Sequence, residues 1–155
     1  MDPDLIYVSG GIEMIDAVEP MWRKLTLHAS KLSEHFARYF AEKSFQERKE
    51  ELVRKAERGK LLIEVALDPG AQEDLGYCIS SVDPEGSGEI ESLYVSDTAR
   101  GRGVGGKLVR RSVQWMEQMS ARSIVVFTVY GSEDVLPFYQ RYGFQPKMVM
   151  LELKK

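Results

Sequence analysis

The sequence predicts a mixed α/β fold on one central sheet, and three observations carry that expectation. Short β-rich runs at 61–67, 75–82 and 89–95 follow one another across turn-rich joints, as in an antiparallel meander. A glycine-rich loop then leads from the third run into an amphipathic helix and on to another β-branched run. Such a unit places its two strands parallel, with a right-handed crossover. Hydrophobic residues make up 43% and charged residues 29% of the 155 positions, enough for the core of one domain.

Each element has a local reason. Leu5 to Val8 alternates and predicts a first strand, ended by Gly10-Gly11. Ile12, Ile15, Val18, Met21, Trp22 and Leu25 recur at helical spacing, and Pro20 inside that pattern predicts a kink or a new helix start. Leu32 to Phe40 is aromatic-rich and predicts a separate short helix. Ser44-Phe45-Gln46-Glu47 is a capping box that starts a helix running to Arg58, with Gly59 placed to end it. Asp68-Pro69-Gly70 and the stretch from Asp83 to Gly88 are turns. A helix is expected from Lys107 to Met119 and a strand from Ser123 to Val129. A short helix comes next, from Val135 to Tyr142, with Pro137 in its first turn and Gly143 as its cap. Met148 to Leu153 predicts a closing strand.

Composition narrows the function. A net charge of −3 argues against general nucleic-acid binding. No apolar run approaches the roughly 18 residues that span a membrane. The acidic start, Met1-Asp2-Pro3-Asp4, lacks the blocks of a signal peptide, and the single cysteine, Cys78, reads as a small buried hydrophobe, so a cytoplasmic setting is expected. His28 and His35 lack the partners of a metal site, and none is expected. Trp22, Tyr39 and Phe40 read as core packing, with an acceptor pocket as the other option.

Positive charge is concentrated around the glycine loop: Arg100, Arg102, Lys107, Arg110 and Arg111 lie between Asp97 and Glu117 with no acid among them. Arg110 and Arg111 read as a solvated helix face; Arg100 and Arg102 lie in the loop, where an anion would meet them. Gly101, Gly103, Gly105 and Gly106 leave the peptide N–H groups of Gly101 to Lys107, Val104 included, uncovered at a helix N-terminus. Such a terminus favours negative charge and suits phosphate. Gly101, Gly103 and Gly106 fit the dinucleotide pattern G-x-G-x-x-G, but the next strand ends Phe127-Thr128-Val129 with no acid for a ribose. Gly101 to Lys107 also mimics a P-loop, but Leu108 stands where Ser or Thr would hold magnesium.

The third pattern, Arg/Gln-x-x-Gly-x-Gly/Ala, is met by Arg100, Gly103 and Gly105. With its context it resembles the acetyl-CoA loop of the GNAT acetyltransferase superfamily. The likeness extends through Glu89-Ile90-Glu91-Ser92-Leu93-Tyr94-Val95, similar to that family's pantetheine-contacting strand. It also takes in Pro137-Phe138-Tyr139-Gln140-Arg141-Tyr142-Gly143-Phe144, which resembles its F-Y-x-x-x-G-F helix. The likeness covers about residues 89 to 144; the first 60 residues match only in element order. It implies a GNAT-like mixed sheet, with helices on both faces and a V-shaped splay between the strands of 89–95 and 123–129. One acetyltransferase domain would divide into acceptor-side elements at 5–60, sheet and acetyl-CoA loop at 61–130, and a closing helix and strand at 131–155.

By the same resemblance, the backbone of Leu93, Tyr94 and Val95 holds the pantetheine arm of acetyl-CoA, the acyl donor, and a peptide amide near Leu93 or Tyr94 faces the developing oxyanion. Tyr139 matches the family's general acid. A thiol titrates near 8.5 and tyrosine near 10, so full proton donation from Tyr139 is uphill by roughly 2 kcal/mol and a strong hydrogen bond is the easier role. Glu89 and Glu91 share parity on one strand and are the base candidates. Ser132 stands where the family often has a cofactor-contacting Asn, with less reach. Phe138 and Tyr142 read as packing. The expected reaction is N-acetyl transfer to a primary amine, small-molecule or peptide, by direct attack in a ternary complex. The alternative is a non-catalytic acyl-CoA sensor or assembly module. Family precedent makes a homodimer possible, although no sequence feature demands one.

Overall fold

The computed structural model describes residues 4–155, and the acidic start at Met1 to Pro3 lies outside the described residues. Its centre is a five-stranded sheet in the order β1-β2-β3-β4-β5, formed by Ile6–Gly10, Lys60–Asp68, Glu73–Val82, Ser87–Val95 and Ser123–Val126. The first four strands pair antiparallel and β4 pairs parallel with β5. This is the mixed sheet expected from the meander and the crossover.

Helices cover both faces. On one side a 3₁₀ turn over Ile12–Val18 leads into α1 (Glu19–Leu32), and α3 (Phe45–Arg58) lies alongside after the five-residue α2 (Ala37–Ala41). Ile15, Val18, Trp22, Phe45 and Leu52 bury against Ile63, Val65, Tyr77 and Ile79 there. The opposite face carries α4 (Val104–Gln118) and α5 (Val135–Gln140), with Val104, Leu108, Val109 and Met116 packed on Ala66, Leu75, Cys78 and Ile90. Pro20 sits in the first turn of α1, so it begins a helix rather than bending one. Ser44 accepts a hydrogen bond from the Glu47 N–H at 3.3 Å and starts α3 as its capping sequence requires.

The structure corrects several boundaries. The aromatic-rich segment forms its helix only at Ala37–Ala41, because α1 runs on to Leu32. Helix α4 begins at Val104 rather than Lys107, so Gly105 and Gly106 form its first turn. Strand β5 stops at Val126, three residues short of the expected Val129, and Phe127 beyond it is 77% exposed. Helix α5 ends at Gln140 instead of Tyr142. No strand forms over Met148 to Leu153; Leu151 is 90% exposed. The apolar run supplies a local preference, but a strand exists only with a hydrogen-bonded neighbour, and this segment has none among the described residues.

Leu52 is the buried contact that seats α3 on the sheet. Leu52→Ala is expected to remove about 3 kcal/mol of stability, read from urea denaturation, because it leaves a cavity at a site 1% exposed.

Candidate active site

The site starts where the sheet comes apart. Pairing of β4 with β5 runs from Ser87↔Ser123 to Ile90↔Val126 and ends there, so Glu91 to Val95 lack a strand neighbour on the β5 side. This is the expected splay. On the β3 side Ile79 pairs with Ser92 and Ser80 with Ile90, which leaves Glu91 as the extra residue of a β-bulge. A bulge bends its strand and re-aims the groups beyond it.

The glycine loop lies at the end of the same strand. Gly101 and Gly103 have φ of 76° and 75°, left-handed backbone that a side chain would strain. Gly103 is the N-cap of α4, and no side chain caps that end. The Lys107 N–H bonds the Gly103 carbonyl at 3.1 Å; those of Val104, Gly105 and Gly106 precede it as the donors a helix leaves over. A Cβ added at Gly101 would meet nothing within 4 Å, so the loop is open on that side. Free amides, positive φ and open space fit a diphosphate.

The loop cations are divided. Arg100 is exposed and pairs with Asp97 at 3.0 Å, while Arg102 reaches Asp68 at 3.0 Å. The Lys107 ammonium lies over the Tyr7 ring at 4.5 Å. Arg110 is over the Tyr142 ring. Arg111 is not the solvated residue its sequence suggests: its Nε donates to Glu64 at 2.5 Å, and that carboxylate is buried and also accepts from the Ser9 hydroxyl at 3.0 Å. Such a carboxylate demands a partner, and Arg111 supplies it.

Tyr139 is 8% exposed within the core beneath α4. Its ring packs edge-on against Phe138 and Phe144 at centroid distances of 5.1 and 5.7 Å. Burial pushes its hydroxyl well above the ordinary tyrosine range, with Cys78 adding to the shift. Cys78 itself is buried, its thiol pushed up to about 11 by desolvation, and it accepts a hydrogen bond from the Ser112 hydroxyl at 3.1 Å. Ser132 is also buried, in a turn whose main chain bonds Val129 and Val135.

Glu89 and Glu91 project from the opposite face of β4, towards α3. Lys55 Nζ lies 3.6 Å from Glu89 Oε1 and 2.6 Å from Glu91 Oε2. Glu91 is enclosed, its side chain 1% exposed. Oε2 also accepts from the Ser81 hydroxyl at 2.6 Å, and Oε1 lies 3.2 Å from Arg48 Nη2. Burial opposes its ionisation, but the Lys55 and Ser81 hydrogen bonds outweigh burial and hold the carboxyl below the ordinary glutamate range. Glu89 is more open. Burial and then the neighbouring Glu91 raise its pKa against the pull of Lys55.

Arg48, Lys55 and Ser81 were not among the residues singled out from the sequence. The signal was available in part: Arg48, Leu52 and Lys55 are spaced to share one face of α3, and a charged pair flanking a core leucine marks a face turned to buried acid. Tyr39 is not core either. It is 59% exposed and lines a cleft of about 350 Å³ with Glu42, Lys43, Glu47, Arg48 and Glu51, whereas Trp22 packs on Phe45 in the core.

Residues 26–144, more than half of the chain, match the Acetyltransferase (GNAT) family, and the chain belongs to that family. It is 26% identical over 72 residues to an uncharacterized N-acetyltransferase of Methanocaldococcus jannaschii. That match covers 46% of this chain and 32% of the relative, so it spans about a third of the relative's own length. The fold matches a GCN5-related N-acetyltransferase from Ralstonia eutropha at a TM-score of 0.72 and 19% identity, over 96% of this chain and 97% of that one. A Clostridium acetobutylicum protein solved with acetyl-CoA matches at 0.64 and 17% identity, over 96% and 95%. At these identities the structural likeness establishes the fold. No helix among the described residues is long and apolar enough to cross a membrane.

The Glu91 cluster makes stability acid-sensitive. Its folded pKa lies below the reference of 4.5, so its contribution is present above that value and lost as pH falls through the folded one. The thermal unfolding midpoint is expected to decline steeply below about pH 4.5. Glu91→Gln is expected to flatten that decline while lowering stability at neutral pH.

Proposed function

We propose that this protein transfers an acetyl group from acetyl-CoA to a primary amine by direct attack. The observation that carries the proposal is the pairing of the open glycine cradle with the parted strands, joined by Glu91 to Val95, the second half of β4. The amides of Gly101 and of Gly103 to Gly106 would hold the diphosphate, with Arg100, Arg102 and Lys107 contributing positive charge around it. The free edge of Leu93, Tyr94 and Val95 would pair with the pantetheine amides as an added strand does. Ser132 would contribute a further hydrogen bond.

The thioester would then lie in the splay, with Tyr139 on one face and Glu89 on the other. A neutral amine attacks the carbonyl carbon; a C–N bond forms, the C–S bond breaks, and the amine's surplus proton leaves. Glu89, the more open carboxylate, is the better base candidate, taking that proton through water. Glu91 is closed in by Arg48, Lys55 and Ser81 and serves the site by its charge. The raised Tyr139 hydroxyl is a poorer acid than an ordinary phenol. It therefore acts as a hydrogen-bond donor to the departing sulfur, and full transfer is further uphill than the roughly 2 kcal/mol between free groups. A peptide amide after the bulge supports the charge that develops on the carbonyl oxygen.

The acceptor faces the α3 side, where the cleft lined by Tyr39, Glu42, Glu47 and Glu51 carries more acid than base. Polyamines, small amines, lysines and peptide N-termini all belong in the screen. With the best amine, Tyr139→Phe is expected to lower kcat by about 10²-fold or more, in the range of lost acid–base assistance, with acetyl-CoA affinity unchanged. Arg100→Glu is expected to weaken acetyl-CoA binding about tenfold by calorimetry, as reversed charge at an exposed phosphate contact does. Intact turnover in the tyrosine variant would overturn the role given to Tyr139, whereas acetyl-CoA binding with no turnover of any amine would leave an acyl-CoA-binding module as the better reading.

A further inference from the structure

We infer that Arg48 is a positioning residue for acetyl transfer: it clamps the bulge at Glu91 and so fixes the direction of the free strand edge beyond it. The inference rests on the acetyltransferase reading. Its basis is a set of contacts that the family's cofactor loop and tyrosine do not involve.

Glu91 is the residue without a partner in the β3 register, so its main-chain groups need another source of order. Arg48 supplies it. Nη2 donates to the Glu91 carbonyl oxygen at 2.8 Å and to Glu91 Oε1 at 3.2 Å. Nη1 donates to Glu51 Oε1 at 2.6 Å, which holds the guanidinium plane from the cleft side. Arg48 is buried, with 9% of its side chain exposed. The other carboxylate oxygen is taken by Lys55 and Ser81, each at 2.6 Å. Helix α3 therefore grips the extra residue by main chain and side chain together.

The grip matters for the rest of the strand. From Glu91 onward, among the described residues, β3 is the one strand paired with β4. On the other side, the edge that would hold the thioester has no strand to set its angle. A displacement of about 1 Å at a reacting centre costs on the order of 10²-fold in rate. Arg48 forms no hydrogen bond with Tyr139 or Glu89 among the described residues; its charge lowers the Glu89 pKa from a distance, and Arg48→Lys keeps that charge, so a loss in that variant reports the clamp on the bulge. Lysine cannot replace it. One ammonium lacks the planar fork that reaches Glu51 in one direction and the Glu91 carbonyl in the other.

The test uses the full chain as Arg48→Lys, Arg48→Gln and Lys49→Gln, each checked for folding by circular dichroism. Amide hydrogen exchange is read on the free protein, and turnover as thiol release with acetyl-CoA and the best amine of the screen. Arg48→Lys is expected to speed exchange of the Ser92–Val95 amides at least tenfold while the β2 amides of Ile63 and Val65 hold. Its kcat is expected to fall tenfold or more with KM for acetyl-CoA within twofold. Lys49→Gln, which breaks an exposed ion pair between the same helix and Asp16, is expected to stay within twofold on both readouts. If Arg48→Gln fails to fold, Arg48→Lys carries the test, since it keeps the charge. Unchanged exchange in Arg48→Lys, faster exchange with unchanged kcat, or an equal loss in Lys49→Gln would each overturn the inference while leaving the acetyltransferase reading intact. A wild-type chain that turns over no amine would overturn that reading itself.

Discussion

Where β4 and β5 part, after Ile90 and Val126, the chain leaves a row of peptide groups without a strand neighbour. Buried N–H and C=O groups are strong, nearly obligatory hydrogen-bonding groups, so this edge must be met by water or by a ligand. The rest of the molecule is arranged around that gap. Helices α4 and α5 pack one face of the sheet through Leu108, Val109 and Met116, and α1 and α3 pack the other through Trp22, Phe45 and Leu52. The two cores pack the sheet from both sides.

Electrostatics then separates two carboxylates that share a strand face. Glu89 and Glu91 both reach Lys55, yet their pKa values move in opposite directions. The difference comes from hydrogen bonding. Glu91 has Arg48, Lys55 and Ser81 around both oxygens, and these outweigh its desolvation. Glu89 has one longer ion pair, and burial beside another negative charge dominates. Environments that push paired titratable groups apart assign them different work. On the proposed reading the enclosed acid orders the strand and the open one handles a proton.

Features that depend on nearby residues were legible in the chain before folding. The N-cap at Ser44 and the helix start at Pro20 both arise from interactions within a few positions. The contacts that stayed hidden join residues far apart. Glu91 finds Arg48 and Lys55 on a helix more than thirty positions upstream, and Arg111 finds Glu64 across the β2–α4 contact. Periodicity indicates that a face is charged, not which buried acid it meets. Met148 to Leu153 is the converse case. Its pattern favours a strand, but no local signal supplies the neighbour that would make it one.

The four loop glycines show how one motif can meet two unrelated demands. Gly101 and Gly103 are required by their positive φ, a matter of the loop alone. Gly105 and Gly106 are in ordinary helix, and their constraint comes from α5 and the residues just after it. A Cβ at Gly105 would stand 3.3 Å from the Phe138 ring, and one at Gly106 would strike the Tyr142 hydroxyl. Phe138 and Tyr142 flank Tyr139 in sequence and pack edge-on at a centroid distance of 5.4 Å. The first turn of α4, which would face the diphosphate, therefore rests directly on the aromatic pair that sets the tyrosine. A side chain at Gly105 would press the Phe138 ring back by a few tenths of an ångström and one at Gly106 would force the Tyr142 hydroxyl aside, while the free N–H groups of the turn remained. On the proposed reading these two positions answer to the packing of Phe138 and Tyr142 as well as to phosphate binding.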